Sequence, residues 1–417
     1  MIILNHHNSC YLLLLINNKY RLEHRMSSNK IKLSIFLCLS MCLGIGILRF
    51  SYTALLPTTR EAFAWTSGFS SILGSANLLG YLLGAFLAMR LPQNKIMALY
   101  IQIAAIVGML SLFCCAFSDL PKAWYIFWRI ISGISGGLLM ILSPSVVAQC
   151  CDIQDRFKIN FIGFSGIGLG VLLATLFLPY LDQISTQTAW LILCGFALII
   201  CICLSILLQQ FKHHLSAQTA SSSTNISLNT LFYSLLIAYS SSAFAYIPHS
   251  LFWIDYLSHE LKLNLFWINF NWILYGIGSA LGAFSAYLLA RKFGNFTALK
   301  ILYSLYIIAI FIATASTSPI LTFTSSFFTG ILNPAVVFLT SYTILQLYGA
   351  AYKKLWSIAT LCFAFTQLVG GLSFSALQHF GVTYHQQFIL ASFVLLLGTL
   401  QLVWHTRSTK YKTTEQV

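Results

Sequence analysis

Leu33-Ser-Ile-Phe-Leu-Cys-Leu-Ser-Met-Cys-Leu-Gly-Ile-Gly-Ile-Leu-Arg49-Phe-Ser-Tyr-Thr-Ala-Leu-Leu-Pro57 is an apolar run broken by one formal charge. A helix rises about 1.5 Å per residue, so roughly 20 apolar residues cross the ~30 Å hydrocarbon core of a bilayer. Eleven more such runs follow, at about 68–89, 96–117, 123–148, 159–181, 189–211, 230–254, 265–289, 301–317, 320–347, 355–377 and 384–405. Inside all twelve the only formally charged residues are Arg49 and Arg129, and there is no Asp or Glu. The pattern predicts an all-α integral membrane protein of twelve transmembrane helices.

Composition agrees. The chain of 417 residues is 58% hydrophobic and 8% charged, where a soluble domain carries about 25% charged residues. Its net charge of +14 does not point to nucleic acid, because the basic residues sit at alternate ends of the apolar runs. Arg60, Lys122 and Lys262 lie at one set of ends; the other eighteen Lys and Arg outside the runs, from Lys19 to Lys412, lie at the other. The positive-inside rule places that second set, both termini and the central loop in the cytoplasm. No zinc spacing, nucleotide motif, cofactor site or catalytic constellation is legible, so an enzyme is not expected. The eleven cysteines form no disulfide framework. Most act as small hydrophobes within apolar runs, and Cys150-Cys151 falls at a helix end with no redox role expected.

The expected boundaries are a cytoplasmic N-terminal segment 1–30, a six-helix bundle 31–211, a cytoplasmic linker 212–229, a second six-helix bundle 230–406 and a tail 407–417. Residues 1–25 read as a start codon placed too early, with Met26 as the alternative start. The linker contains Gln218-Thr-Ala-Ser-Ser-Ser-Thr224, polar as a flexible connection would be. The two sets of six runs match each other at an offset of 194–198 residues. Arg49-Phe-Ser-Tyr52 falls on Ala243-Phe-Ala-Tyr246; Gly80-x-x-x-Gly84-Ala-Phe86 falls on Gly278-x-x-x-Gly282-Ala-Phe284; Gly133 and Gln149 fall on Gly330 and Gln346. Two pseudo-symmetric six-helix bundles with a site near the midplane between them are a transporter architecture.

The twelve runs, the six-plus-six repeat and the central loop resemble the major facilitator superfamily over about residues 30–406. Gly44-Ile-Gly46-Ile-Leu-Arg49-Phe-Ser-Tyr52-Thr-Ala-Leu-Leu-Pro57 is similar to the first-helix signature of its YbfB-like branch, as are Ser75-Ala-Asn77-Leu-Leu-Gly80-Tyr81-Leu-Leu-Gly84 and Tyr246-Ile-Pro248. The resemblance implies transport in a bacterial inner membrane without naming a solute. Arg129-Ile-Ile-Ser-Gly133-Ile-Ser-Gly136-Gly137 resembles the fourth-helix motif, whose Arg the family associates with proton coupling. The loop motif after helix two keeps only its basic part in Arg90-Leu-Pro-Gln-Asn-Lys95, and its counterpart Arg291-Lys292-Phe-Gly294 is partial. Helix five has Gly163, Gly166, Gly168 and Gly170 with no neighbouring Pro, so the antiporter signature is not met.

Ionised groups within a bilayer are functional candidates by default. Arg49 and Arg129 lie some eight and six residues from the outer ends of their helices. The family's cavity is lined by helices one, four, seven and ten. Two guanidinium forks at one depth there suit a carboxylate or phosphate; the alternative is that each caps helix carbonyls or meets water. Arg129 is read as a coupling or gating residue more than a ligand contact. Tyr52, Asn77, Tyr81, Tyr246, Asn271, Tyr275, Asn333 and Gln367 are polar groups within runs and candidate solute contacts, with interhelical hydrogen bonding as their plainer role. His249 is the best protonatable group inside the runs, a proton switch or else a helix-end histidine facing water. Asp255 and Glu61 are expected to be solvated at the outer mouth.

These readings converge on a secondary active transporter working by alternating access. Its expected partners are a small organic solute, anionic or zwitterionic, the lipid bilayer, and protons in symport; the protein is expected to be a monomer. Two other readings stay open: efflux of drugs or metabolites, and a receptor or scaffold that transports nothing.

Overall fold

The computed structural model of the chain describes residues 28–93, 96–176, 184–211, 215, 228–315 and 318–414. The expectations about residues 1–25 and about the Ser/Thr-rich linker lie outside the described residues.

Among the described residues the chain is helical and has no strand. Twelve helices follow in order: α1 (Ser28–Ala62), α2 (Ser67–Arg90), α3 (Ile96–Cys114), α4 (Lys122–Cys150), α5 (Arg156–Leu176), α6 (Thr186–Phe211), α7 (Thr230–Glu260), α8 (Leu265–Phe293), α9 (Asn295–Phe311), α10 (Pro319–Tyr348), α11 (Tyr352–His379) and α12 (Tyr384–Thr414). Eleven continuous spans are long and apolar enough to cross a membrane. One of these, Pro319–His379, holds both α10 and α11, which are 30 and 28 residues long and separated by a tight turn at Gly349–Ala351. That turn needs Gly349, whose φ is +41°.

Local chemistry starts the helices where polar residues interrupt the apolar runs. Thr66, Asn229 and Asn264 cap α2, α7 and α8, each side-chain oxygen accepting a first-turn N–H, at 3.2, 3.0 and 3.2 Å. Two helices depart from regular α geometry. α1 widens into a π turn at Cys42–Ile47, just before Arg49, and α7 does so at Pro248–Phe252 and Tyr256–Glu260. A π turn rotates the rest of its helix relative to the turns before it, and such turns recur at functional sites.

Helices α1–α6 form one bundle and α7–α12 the other, joined along seams where α2 packs on α11 and α5 on α8. The bundles are built alike. A Cβ on Gly80 would stand 2.1 Å from Ile130 O, and one on Gly278 would stand 2.2 Å from Phe327 O. Those distances admit only hydrogen, so α2 meets α4 and α8 meets α10 backbone to backbone. On the rim, α6 exposes Ile199, Ile202 and Ile206, and α12 exposes Leu396, Leu400 and Trp404. Rows of large apolar side chains facing outward at helical spacing suit hydrocarbon, not water.

The two ends close differently. Arg90, Arg156, Arg291, Lys292, Lys353 and Lys354 mark one of them, the basic end. There aromatic rings seal the seam: Phe157 of α5 lies 4.8 Å from Tyr287 of α8 and 4.5 Å from Tyr342 of α10, and Phe161 lies 4.6 Å from Tyr287. Trp356 Nε1 donates across it to Met140 O at 3.0 Å, and buried Lys353 donates to Leu91 O. At the opposite end an ion pair, Arg60–Asp255 at 3.6 Å, bridges the bundles. Beside it opens a space of about 620 Å³ lined by Pro57, Arg60, Trp65, Ile254 and Leu265.

Candidate functional site

Midway between the ends, both bundles converge on one small cavity. The first bundle lines it with Ile45, Arg49, Phe50, Tyr81, Met140 and Ile167. The second contributes Tyr239, Tyr246, Asn333, Pro334, Val337, Phe363 and Gln367. The free space is about 20 Å³, enough for one water and far too little for an organic solute. Arg49 is the only formally charged residue in the lining.

Arg49 comes just after the π turn of α1 and reaches over the seam. Its Nη2 donates to Gln367 Oε1 of α11 at 2.9 Å. The guanidinium carbon lies 5.6 Å from the ring centre of Tyr81 and 5.8 Å from that of Phe50, within cation–π range. Among the described residues no carboxylate pairs with it; the ion pairs are Lys30–Asp155, Arg60–Asp255 and His259–Asp255. A cation held by π faces and a neutral amide keeps most of its attraction for an anion.

Of the residues singled out by sequence, Arg49, Tyr81, Tyr246, Asn333 and Gln367 meet at this cavity. Tyr275 stands behind them, its hydroxyl 2.6 Å from that of Tyr246. Tyr52 is turned away: its OH donates to Ser70 O at 2.8 Å, and it borders a separate small chamber toward Asp255. Asn77 and Asn271 serve as interhelical ties. Asn77 Nδ2 donates to Arg129 O at 3.3 Å; Asn271 donates to Trp267 O at 2.9 Å and accepts from Ser326 Oγ at 2.7 Å.

Three expectations are corrected. Arg129 does not share the cavity with Arg49, so the two guanidinia do not form one clamp. It is buried in the first bundle, 4.3 Å over the ring of Tyr52, and its Nη1 donates to Leu48 O at 3.4 Å, where Ser132 Oγ also donates at 2.9 Å. The carbonyl it holds belongs to the peptide bond that leads into Arg49. His249 does not face water at a helix end, because α7 continues through its π turns to Glu260. His249 is buried, with Nε2 2.9 Å from Ser325 Oγ, its ring 4.5 Å from that of Trp253 and 4.9 Å from that of Phe388. Ser325 Oγ donates to Ala309 O at 2.7 Å, so its hydrogen is spent and the Nε2 of His249 is the donor between them. Asp255 is paired with Arg60 and only 21% exposed; Glu61 is exposed as expected.

The sequence reading missed Tyr239 and Phe363 in the lining. Both were within reach of helical periodicity, since Tyr239 lies two turns before Tyr246 and Phe363 one turn before Gln367. It also missed Met140 and Ile167, which are indistinguishable from other apolar residues of α4 and α5 until the seam is built. Among the described residues no three His, Cys, Asp or Glu side chains gather as metal ligands. At the basic end burial pushes the Cys151 thiol up to about 12, with Asp155 acting in the same direction. A thiol held protonated is a poor nucleophile.

The sequence matches the profile of a family described as "Uncharacterised MFS-type transporter YbfB" over residues 41–403. No curated protein matches it. Two solved structures are similar in fold. One is the proton:xylose symporter XylE bound to 6-bromo-6-deoxy-D-glucose, with a TM-score of 0.70 and 15% identity, covering 90% of this chain and 95% of that one. The other is the human organic anion transporter MFSD10 (TETRAN), with a TM-score of 0.69 and 15% identity, covering 90% and 100%. At that identity the likeness establishes the fold alone.

Proposed function

The chain belongs to the YbfB-like transporters of the major facilitator superfamily, and from that premise we propose that it moves a small organic anion by alternating access, in symport with protons. Membership makes it an integral membrane transporter and not an enzyme. Solute, direction and coupling are inferred from the site.

The observation that carries the inference is Arg49. The central cavity holds one cation and no acid, and the acceptor on that cation is a neutral amide from the other bundle, Gln367. Gln367 Oε1 stands where a solute carboxylate oxygen would. An ionised acceptor forms a shorter hydrogen bond about twice as strong as a neutral one, and a guanidinium receives a carboxylate with two parallel bonds. An arriving anion therefore displaces Gln367 and loosens a tie between the bundles. The cavity must widen for this, because 20 Å³ holds no organic solute. In this reading the two bundles rock about the site, the basic end faces the cytoplasm under the positive-inside rule, and the membrane is a bacterial inner membrane. The aromatic seal at the basic end and the 620 Å³ space at the other then describe a state nearer to opening outward.

A proton travelling with a monoanion cancels its charge, so the pair crosses without electrical work. His249 is a buried protonatable side chain proposed to accept it at Nδ1, the ring nitrogen that does not already donate to Ser325. Arg129 is proposed to keep α1 in register for Arg49. One neighbour of this fold is described as a proton symporter and another as an organic anion transporter, which supports the reading without fixing it.

Thermal unfolding of the purified protein tests it with a panel of organic anions, zwitterions and cations. A ligand bound to the native state raises apparent stability by mass action. Stabilisation by anions, lost in Arg49→Ala, is expected. Stabilisation by cations, or by anions equally in wild type and Arg49→Ala, would overturn it.

A further inference from the structure

The central cavity carries a finer inference, which rests on the anion reading above. We propose that its solute is a monocarboxylate with an apolar, ring-bearing body, and not a dicarboxylate or an amino acid.

The charge inventory limits the solute to one anionic group. Arg49 offers one guanidinium, whose fork matches one carboxylate once Gln367 is displaced. A second anionic group would need a second cation. The only other guanidinium within the apolar runs, Arg129, is turned into the first bundle onto Leu48 O and lines no part of the cavity. An amino acid fails for the opposite reason. Its ammonium would meet no carboxylate in the lining, and Arg49 would repel it.

The walls decide the body. Apart from Arg49, Asn333, Gln367 and the hydroxyls of Tyr81, Tyr239 and Tyr246, every lining group is hydrocarbon, thioether or aromatic ring. Tyr239 and Phe363 face each other 4.5 Å apart on one wall, and Phe50 lies 6.3 Å from Tyr246 on another. Rings at such separations accept another ring by offset or edge contact. A polyhydroxylated body would need a partner for every hydroxyl stripped of water, and the Tyr246 hydroxyl is already bonded to that of Tyr275.

The test uses the full-length purified protein and four probes: 3-phenylpropionate, phenylalanine, succinate and phenethylamine. The expected result is a saturable rise in unfolding temperature with 3-phenylpropionate, at a half-saturating concentration at least ten-fold below that of phenylalanine or succinate, absent in Arg49→Ala. Gln367→Glu serves as a second variant, since it supplies an internal carboxylate to Arg49; it is expected to fold and also to ignore 3-phenylpropionate. Succinate or phenylalanine performing as well or better, with the effect still lost in Arg49→Ala, would overturn the solute class and leave the anion reading standing. No response to 3-phenylpropionate would also overturn the class. Stabilisation by phenethylamine, or by 3-phenylpropionate undiminished in both variants, would overturn the anion reading itself.

Discussion

The two bundles pack alike and are equipped differently. Gly80 and Gly133 bring α2 and α4 together against Ile130 O and Asn77 O; one repeat later, Gly278 and Gly330 bring α8 and α10 together against Phe327 O and Tyr275 O. The backbone contacts are counterparts, position for position. The polar groups are not. Where the first bundle has Arg49 and Arg129, the repeat alignment gives the second Ala243 and Ser326. Tyr52 is tied to Ser70 O within its own bundle, while its counterpart Tyr246 reaches the cavity and Tyr275. The close backbone packing is held twice over by the same small residues. Charge is placed in one bundle only, which under the proposed function gives the anion one firm side to bind and one neutral side, through Gln367, to release.

The largest expected effect comes from removing that asymmetry of charge. Gln367→Glu gives the second bundle the acid it lacks and should form an ion pair with Arg49 across the seam. A charge-assisted bond is worth about 1.5–3 kcal/mol, so anion uptake into proteoliposomes should fall roughly 10- to 100-fold while the unfolding temperature rises. Uptake at the wild-type rate would mean that Arg49 does not hold the solute.

Next in size is a test of the shared packing. Gly80→Ala and Gly278→Ala each place a methyl group against a carbonyl oxygen, and overpacking costs about 1–3 kcal/mol. Both should lower the unfolding temperature by similar amounts. If one proves silent, the bundles are not the packing equivalents that their backbone contacts make them.

Smaller still, Tyr246→Phe removes one partner of the Tyr275 hydroxyl, and Tyr52→Phe removes the side-chain donor to Ser70 O. Each should cost about 1 kcal/mol of stability. Only Tyr246→Phe should also change the apparent KM for the anion, because only Tyr246 lines the cavity. An equal KM change in both would erase the distinction.

The smallest effect is an expected silence. Cys150-Cys151 ends α4, where the second bundle has Leu347-Tyr348. With its thiol pushed up to about 12 by burial, Cys151 should resist maleimide between about pH 7 and 9, read by intact mass after digestion. Rapid labelling at neutral pH would show a thiolate, and a difference in chemistry at that end too.

Most of the architecture was legible along the chain. Span length and the absence of charge follow from the solvent, since a bilayer admits few alternatives to a long apolar helix. The repeat was visible through glycines because backbone contact leaves no choice of residue. The site was legible only in part. Arg49 announced itself by the cost of a charge in hydrocarbon, but so did Arg129, and nothing along the chain says which guanidinium faces the cavity. Asn271 and Gln367 are both amides inside apolar helices; one ties α8 to α10 and the other reaches Arg49.

The sequence by itself determined the class of protein, the number of helices, the doubling and the single sign of buried charge, because each depends on composition and local spacing. Only the tertiary structure decided which side chains share the cavity. Helix rotation, the π turn at Cys42–Ile47 and the seam between bundles set that. Arg49 and Gln367 are 318 residues apart, and no local period relates two groups that meet only when separate helices pack.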